Sequence, residues 1–396
     1  MKKILLGINS LHIGGIQTAL INLLQNLDYT KYDVTVQLFH YEEEYRGFLP
    51  PEVKIRKASF LLGIANNTMK EAKKKGTAIY VLRAAMAVIC KIIGANRFYS
   101  LLFRGIHDDT FYDEAISFTN NGNIKTLYFG MNQYILNCVE ARKKSTWLHV
   151  DFEGMKLNDS YNISEYRRFD RVITVSEAAK DIFLKYVPEM SAKTHVVYNV
   201  INPEKLKEQG NDRAIGFETF AQDRLKIVTI CRLDENKNVT ACLEVAQRLK
   251  DRKIPFQWII VGDGTERNTL AERASEKRLD ENVTFVGYQR NPYPYIMDAD
   301  IAVSTSISES YGMSIAESIA LHTPAIAFYY PALQEVIKNG KNGFIIGQGC
   351  TEDMANKIIA LYESGELVEM KKRCCNLISA NDAISQFDRV FDGEEA

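Results

Sequence analysis

The sequence predicts an α/β protein built from two Rossmann-like, doubly wound domains facing across a cleft, and three observations carry that prediction. Short apolar runs rich in β-branched residues alternate with stretches of helical periodicity along most of the chain. At 396 residues the chain exceeds what one hydrophobic core serves. Between Asn202 and Arg224 the apolar content drops, and the alternation then starts afresh.

The elements follow in order. "KILLGIN" reads as the first strand. In "GIQTALINLLQNL", residues Ile16, Ala19, Leu20, Leu23, Leu24 and Leu27 make the apolar face of a helix. "YDVTVQLF", "YDEAISF", "STWLHV", "DRVITVS" and "THVVYNV" supply further strands of the first half. After the polar stretch come "LKIVTI", a helix near Val239 to Leu249, "FQWIIVG", a helix near Glu266 to Arg278, and "VTFVG". A short helix at Tyr293 to Met297 precedes "DIAVSTS", and "TPAIAFY" and "GFIIG" complete a second sheet.

Composition narrows the function classes. Hydrophobic residues make up 46% and charged residues 25%, as in soluble globular proteins, and a net charge of -1 gives no reason to expect nucleic acid. The seven cysteines are scattered and contain no C-x-x-C pair, which suits reduced cytosolic thiols. The apolar run of "MKKILLGINS" is broken by Asn9 and Ser10, so it reads as a strand and not as a signal peptide.

Residues 70–104 break the alternation. Their apolar core is interrupted by Arg83 and Lys91 and flanked by Lys73, Lys74, Lys75, Arg97 and Arg104. That charge density excludes a membrane span. Two readings stay open, a pair of domain-packing helices and a basic amphipathic surface resting on an anionic membrane.

Four stretches point to ligand chemistry. In "SISESYGMSIAES", Glu309 and Glu317 bracket a glycine turn between an expected strand and an expected helix, the edge where open α/β sheets bind ligands. Gly14 and Gly15 lie between the first strand and first helix, where backbone can approach a ligand and helix N–H groups can meet an anion. Arg232 and Lys237 follow the first strand of the second domain and can neutralise a diphosphate, or else pair with Asp234 and Glu235. Gly262 and Gly264, in "VGDGTER", make room for a flat base or a tight turn. Neither first strand is followed by G-x-G-x-x-G, which argues against an NAD-dependent oxidoreductase.

The order of landmarks, "GG" near the start, then "RL…K", "VGDG", "VTFVGY", "NPYPYIMDADIAVSTS", "ESYGMSIAES" and "NGKNGF", resembles the retaining glycosyltransferases of family 4, which have the GT-B fold. The resemblance covers nearly the whole chain and is densest from 226 to 346. It implies an acceptor-binding domain at 1–205, a linker at 206–224, a nucleotide-sugar domain at 225–375, and a segment at 376–396 returning to the first domain. Glu309 would lie against the donor sugar, the backbone of Tyr311, Gly312 and Met313 would cap the distal phosphate, and Glu317 would meet the ribose. Arg232 and Lys237 would stabilise the departing nucleoside diphosphate, with no metal and no cofactor beyond the nucleotide sugar as co-substrate. His149, near the end of "STWLHV", would touch the donor sugar, or else serve as a structural histidine bonded to neighbouring backbone. The implied activity is transfer of a hexose or N-acetylhexosamine, from a UDP-sugar in the first instance, to a sugar or lipid-linked sugar in polysaccharide or glycolipid synthesis. Ser310, Ser318 and Cys231 stand where the family commonly has Gly, Ala and Gly. A non-catalytic GT-B partner of an active transferase is the competing reading. Asp298-Ala299-Asp300 precedes "IAVSTS" and reads as a helix-to-strand connection, not as a metal motif.

Overall fold

The computed structural model describes residues 1–11, 14–122, 124–127, 130–212 and 224–392, the side chain of Glu44 excepted. It divides into two compact units. One is Met1–Val200 together with the C-terminal segment from Asn381, and the other is Ile201–Ala380.

The first unit holds strands β1 (Lys2–Ile8), β2 (Tyr32–Leu38), β3 (Lys54–Lys57), β4 (Asp108–Ser117), β5 (Val139–Leu148), β6 (Arg171–Thr174) and β7 (Thr194–Val196). They form one parallel sheet in the order β3-β2-β1-β4-β5-β6-β7. Its helices are α1 (Gly15–Leu24), α2 (Phe60–Ala65), α3 (Met69–Lys74), α4 (Thr77–Ile93), α5 (Ala95–Leu102), α6 (Met131–Cys138), α7 (Ser160–Tyr166) and α8 (Glu177–Tyr186). The expected apolar face of α1 is the face it buries, through Ala19, Leu20, Leu23 and Leu24. Parallel strands covered on both sides need apolar residues at successive positions. β1 meets that need with Ile4, Leu5, Leu6 and Ile8, all buried.

The second unit begins with α9 (Pro203–Asn211) and contains β8 (Leu225–Ile230), α10 (Val239–Asp251), β9 (Phe256–Val261), α11 (Arg267–Glu276), β10 (Val283–Gly287), α12 (Tyr293–Asp298), β11 (Ile301–Ser304), α13 (Met313–Ala320), β12 (Ala325–Phe328), β13 (Gly343–Ile346), α14 (Thr351–Glu363) and α15 (Glu366–Arg373). The strand order is β10-β9-β8-β11-β12-β13, all parallel. Its core centres on Trp258, Phe256, Ile260 and Phe328, and the Trp258 indole N–H donates to Thr229 Oγ1 at 3.0 Å.

One boundary differs from expectation. Residues 206–211, read from composition as linker, belong to α9, whose Gln209 carbonyl accepts from Asn291 Nδ2 at 2.7 Å. Their charges are the solvent face of a helix that buries Leu206 and Gly210. Residues 213–223 of that expected linker lie outside the described residues. At the C-terminus, α16 (Ala380–Phe391) packs in the first unit. Phe387 stacks 6.3 Å from Trp147, and Asp388 accepts from the Tyr32 hydroxyl at 2.9 Å.

Candidate active site

Strand order places the site. In the second sheet the chain winds one way from β8 through β9 to β10 and then crosses back to β11 on the other side of β8, so the crevice outside the carboxyl ends of β8 and β11 is the switch point where ligands bind in open parallel sheets. The segments leaving those two strands are 231–238 and 305–312, which hold five of the residues expected from sequence.

Hydrogen bonds tie the two segments together. Asn236 Nδ2 donates to the Ser308 carbonyl at 2.9 Å, and the Ile307 N–H donates to the Asn236 carbonyl at 2.8 Å. Thr305 Oγ1 donates to the carbonyls of Lys237 and Asn238 at 3.1 and 2.9 Å. This bracing brings Lys237 Nζ onto Glu309 Oε1 as an ion pair, to which Ser306 Oγ adds a hydrogen bond of 3.0 Å. Arg232 is not part of that cluster. Its side chain is 76% exposed and pairs with Asp234 at 3.2 Å, the partner that the alternative reading of this loop anticipated.

The turn into α13 is fixed by backbone geometry. Gly312 caps the helix with φ +92, a left-handed conformation that side chains disfavour, and a Cβ there would collide with the Tyr330 hydroxyl. Tyr311 is buried beneath it, and Met313 is the first helical residue. The first N–H groups of a helix lack intrahelical partners and carry partial positive charge, so this end offers donors to an anion. Tyr330 is buried with no hydrogen-bond partner for its hydroxyl among the described residues, and burial with the nearby Glu309 charge raises its pKa well above the usual phenol range.

Glu317 sits one turn into α13. It is buried, and desolvation pushes its pKa up to about 7, opposed by the Tyr293 hydroxyl, which donates to Oε1 at 3.4 Å. Gly262 has φ +141, and a Cβ at that residue would collide with the Cys231 carbonyl; one at Gly264 would meet the Leu233 carbonyl. These glycines let the turn after β9 lie flat on the turn after β8, a backbone requirement that acts before any ligand arrives.

The remaining expected residues belong to the first unit. Gly14 and Gly15 open α1; a Cβ added at Gly15 would meet no described atom within 4 Å, whereas one at Gly14 would meet Gln17 Oε1 at 2.8 Å. His12 lies outside the described residues. His149 follows β5, buried between Trp147 and Phe118, with ring centroids 5.7 and 4.5 Å away. Desolvation pushes its pKa down to about 3, so it is neutral at physiological pH.

The second carboxylate of the Asp-Ala-Asp tripeptide has structural work. Asp300 accepts from the Lys226 N–H at 2.9 Å and pairs with Lys371 at 3.3 Å, bracing the start of β11. Elsewhere in the first unit His40, Glu42 and Glu71 bring ligating atoms within 4.8 Å of one another. Glu71 there closes a capping box with Thr68, and Lys75 Nζ stands 3.9 Å from Glu42, so protein groups already balance that charge.

Sequence reasoning missed Asn236, Thr305, Ser306, Tyr293 and Tyr330. The hydroxyl-rich run "STSIS" ahead of Glu309 was the available signal for two of them. Tyr293 and Tyr330 come from distant elements and carry no local mark.

Comparison with known proteins agrees with this fold. Residues 211–376 match the family model described as Glycosyl transferases group 1. Over 148 residues, 37% of this chain and 39% of the relative, the sequence is 32% identical to a putative glycosyltransferase, EpsD, of Bacillus subtilis. It is 27% identical over 227 residues to a poly(ribitol-phosphate) alpha-N-acetylglucosaminyltransferase of Staphylococcus aureus, covering 55% of this chain and 43% of that one. The matched stretches thus span less than half the length of these curated relatives. Among solved structures, Staphylococcus aureus TarM superposes with a TM-score of 0.69 at 15% identity over 99% of both chains. Anabaena HepE, solved with UDP and glucose, superposes with a TM-score of 0.66 at 16% identity over 99% of this chain and 100% of that one. At such identity these two structures establish the fold alone. By fold and by the domain at residues 211–376, this chain is a GT-B protein related to the group 1 glycosyl transferases.

Proposed function

We propose that the protein is a retaining glycosyltransferase that moves a hexose or N-acetylhexosamine from a nucleotide diphosphate sugar, a UDP-sugar in the first instance, to a sugar acceptor in polysaccharide or glycolipid synthesis. The observation that carries this reading is the meeting of Lys237 and Glu309 beside the N-terminus of α13 at the β8/β11 switch point. A diphosphate placed there meets free helix N–H groups and two cations, Lys237 and the exposed Arg232. Charge builds on the leaving phosphate as the glycosidic bond breaks, and cations fixed in advance stabilise it most in the transition state.

Glu309 is assigned to the donor sugar, the backbone of Tyr311, Gly312 and Met313 to the distal phosphate, and Glu317 to the ribose hydroxyls. Two hydroxyl donors would convert the half-protonated Glu317 to its anion. Gly262 is assigned to the wall of the nucleotide site, and His149 and the Gly14–Gly15 turn are the first unit's candidates. Neutral His149 can accept or donate one hydrogen bond and cannot serve as a cation. The acceptor hydroxyl would lose its proton to the departing phosphate on the same face, without a protein nucleophile. We place the protein in the cytoplasm, acting on a lipid-linked oligosaccharide, with peripheral membrane contact through residues 70–104.

Thermal stabilisation by UDP, GDP, ADP and NAD tests the reading. A ligand at 100 times its dissociation constant adds about 2.7 kcal/mol. One nucleoside diphosphate should stabilise the wild type and fail on Arg232→Ala, whose exposed side chain leaves the fold intact when removed. Stabilisation by NAD alone would install the dehydrogenase reading, and no stabilisation by any would favour a non-catalytic partner.

A further inference from the structure

The helix α4 divides its side chains in an inverted way. α4 runs for 17 residues, about 25 Å at 1.5 Å per residue. Its inner face carries Arg83 with Met86 and Cys90, and the buried guanidinium donates from Nε to the Asn67 carbonyl at 2.8 Å. Its outer face carries Val81, Val88 and Ile92, which are 59%, 57% and 77% exposed, with Leu82 and Ile89 exposed beside them. Lys91 is the single charge on that outer side. A helix facing water places its arginine out and its aliphatics in. α2 and α5 pack on α4 and add exposed Phe60 and Leu101.

Exposed apolar surface gathered on one element marks an interaction site, and the charge around it selects the partner. Residues 59–104 contain eight bases and one acid, Glu71, which is engaged in the Thr68 capping box. Exposed Lys73 and Lys74 precede the start of α4, and exposed Arg97 and Arg104 follow its end. An aliphatic ridge with cations at both ends complements a surface that is hydrocarbon below and phosphate at the flanks. No helix among the described residues is long and apolar enough to cross a membrane, so such an element would lie in the interface plane.

We propose that α4, flanked by α2 and α5, docks in the plane of an anionic lipid surface, with Val81, Val88 and Ile92 inserted and the terminal lysines and arginines at the phosphates. The proposal rests on the transferase reading only for its purpose, and it narrows the membrane contact to one face. Insertion of aliphatics supplies the greater part of the affinity, and the cations select anionic lipid.

Cosedimentation of the full chain with vesicles tests this, using phosphatidylcholine alone and phosphatidylcholine mixed with phosphatidylglycerol. The wild type should bind the mixed vesicles. Val88→Glu/Ile92→Glu should lose at least tenfold in binding at low and high salt, whereas Lys73→Glu/Lys74→Glu should lose it at low salt and differ little at high salt. Ile92→Trp should shift its emission to the blue on mixed vesicles. Stabilisation by UDP should persist in every variant. The proposal is overturned if the wild type ignores mixed vesicles, or if Val88→Glu/Ile92→Glu binds them like wild type. It is also overturned if light scattering shows a wild-type dimer that this variant dissolves, since a second copy would then be the cover. Vesicle binding without stabilisation by UDP, GDP or ADP would break the transferase reading and leave this proposal standing.

Discussion

The carboxyl ends of the two sheets are built to different standards. In the second unit the loops after β8 and β11 are cross-bonded through Asn236 and Thr305, and Gly262 and Gly312 hold left-handed or crowded positions that no larger residue fits. In the first unit a Cβ at Gly15 would meet no described atom within 4 Å, and the candidate His149 is packed among aromatic rings. The second edge is therefore preorganised by the protein itself, as a site for a charged leaving group requires. The first edge shows fewer such constraints among the described residues.

The largest expected effect tests that preorganisation at its centre. Glu309→Ala should lower turnover by about 1,000-fold, roughly 4 kcal/mol of transition-state stabilisation, with the thermal midpoint little changed. Undiminished transfer would remove Glu309 from the site. Next comes the backbone. Gly262→Ala forces a Cβ against the Cys231 carbonyl at a φ of +141 and should cost about 3 kcal/mol in denaturant unfolding, with activity lost in proportion to folded protein.

The buried titratable groups should make the two units respond oppositely to pH. Glu317 has a folded pKa of about 7, above the ordinary glutamate value of 4.5, so the folded state holds more protons between those values and stability falls as pH rises through the window. His149 has a folded pKa of about 3, below the ordinary histidine value of 6.5, so stability falls as pH drops from 6.5 towards 3. Each slope is at most about 1.4 kcal/mol per pH unit. Urea titrations from pH 4 to 8 should show the Glu317 slope removed in Glu317→Gln and the His149 slope removed in His149→Phe. Equal slopes in both variants and wild type would show that these groups are more solvated than the structure indicates.

The smallest effect belongs to the turn at Gly15. Gly15→Ala meets no described atom within 4 Å and starts a helix, so stability should change by less than about 0.5 kcal/mol. A drop in turnover without loss of stability would mean that substrate, not protein, needs the space.

Much of the fold was legible because parallel strands buried on both faces and amphipathic helices have different periods. The strand β3, Lys-Ile-Arg-Lys, was not, since an edge strand with one apolar residue has no period to read. The ten-residue span of β5 was also hidden, because its first half, "VEARKK", is polar. At the site, Glu309 and Glu317 stood out by their spacing around a glycine, while the Arg83 side chain, an apparent surface charge in the sequence, turned inward to a backbone carbonyl.

The sequence by itself determined the two α/β halves, the strand-to-helix turns and the residue types available at them, because these depend on local period and local backbone freedom. The tertiary structure alone decided that Lys237 reaches Glu309, 72 residues away, that Tyr330 closes under Gly312, and that α4 turns its aliphatics outward. Those outcomes depend on strand order and on competition between distant groups for the same buried space, and no window along the chain contains both partners.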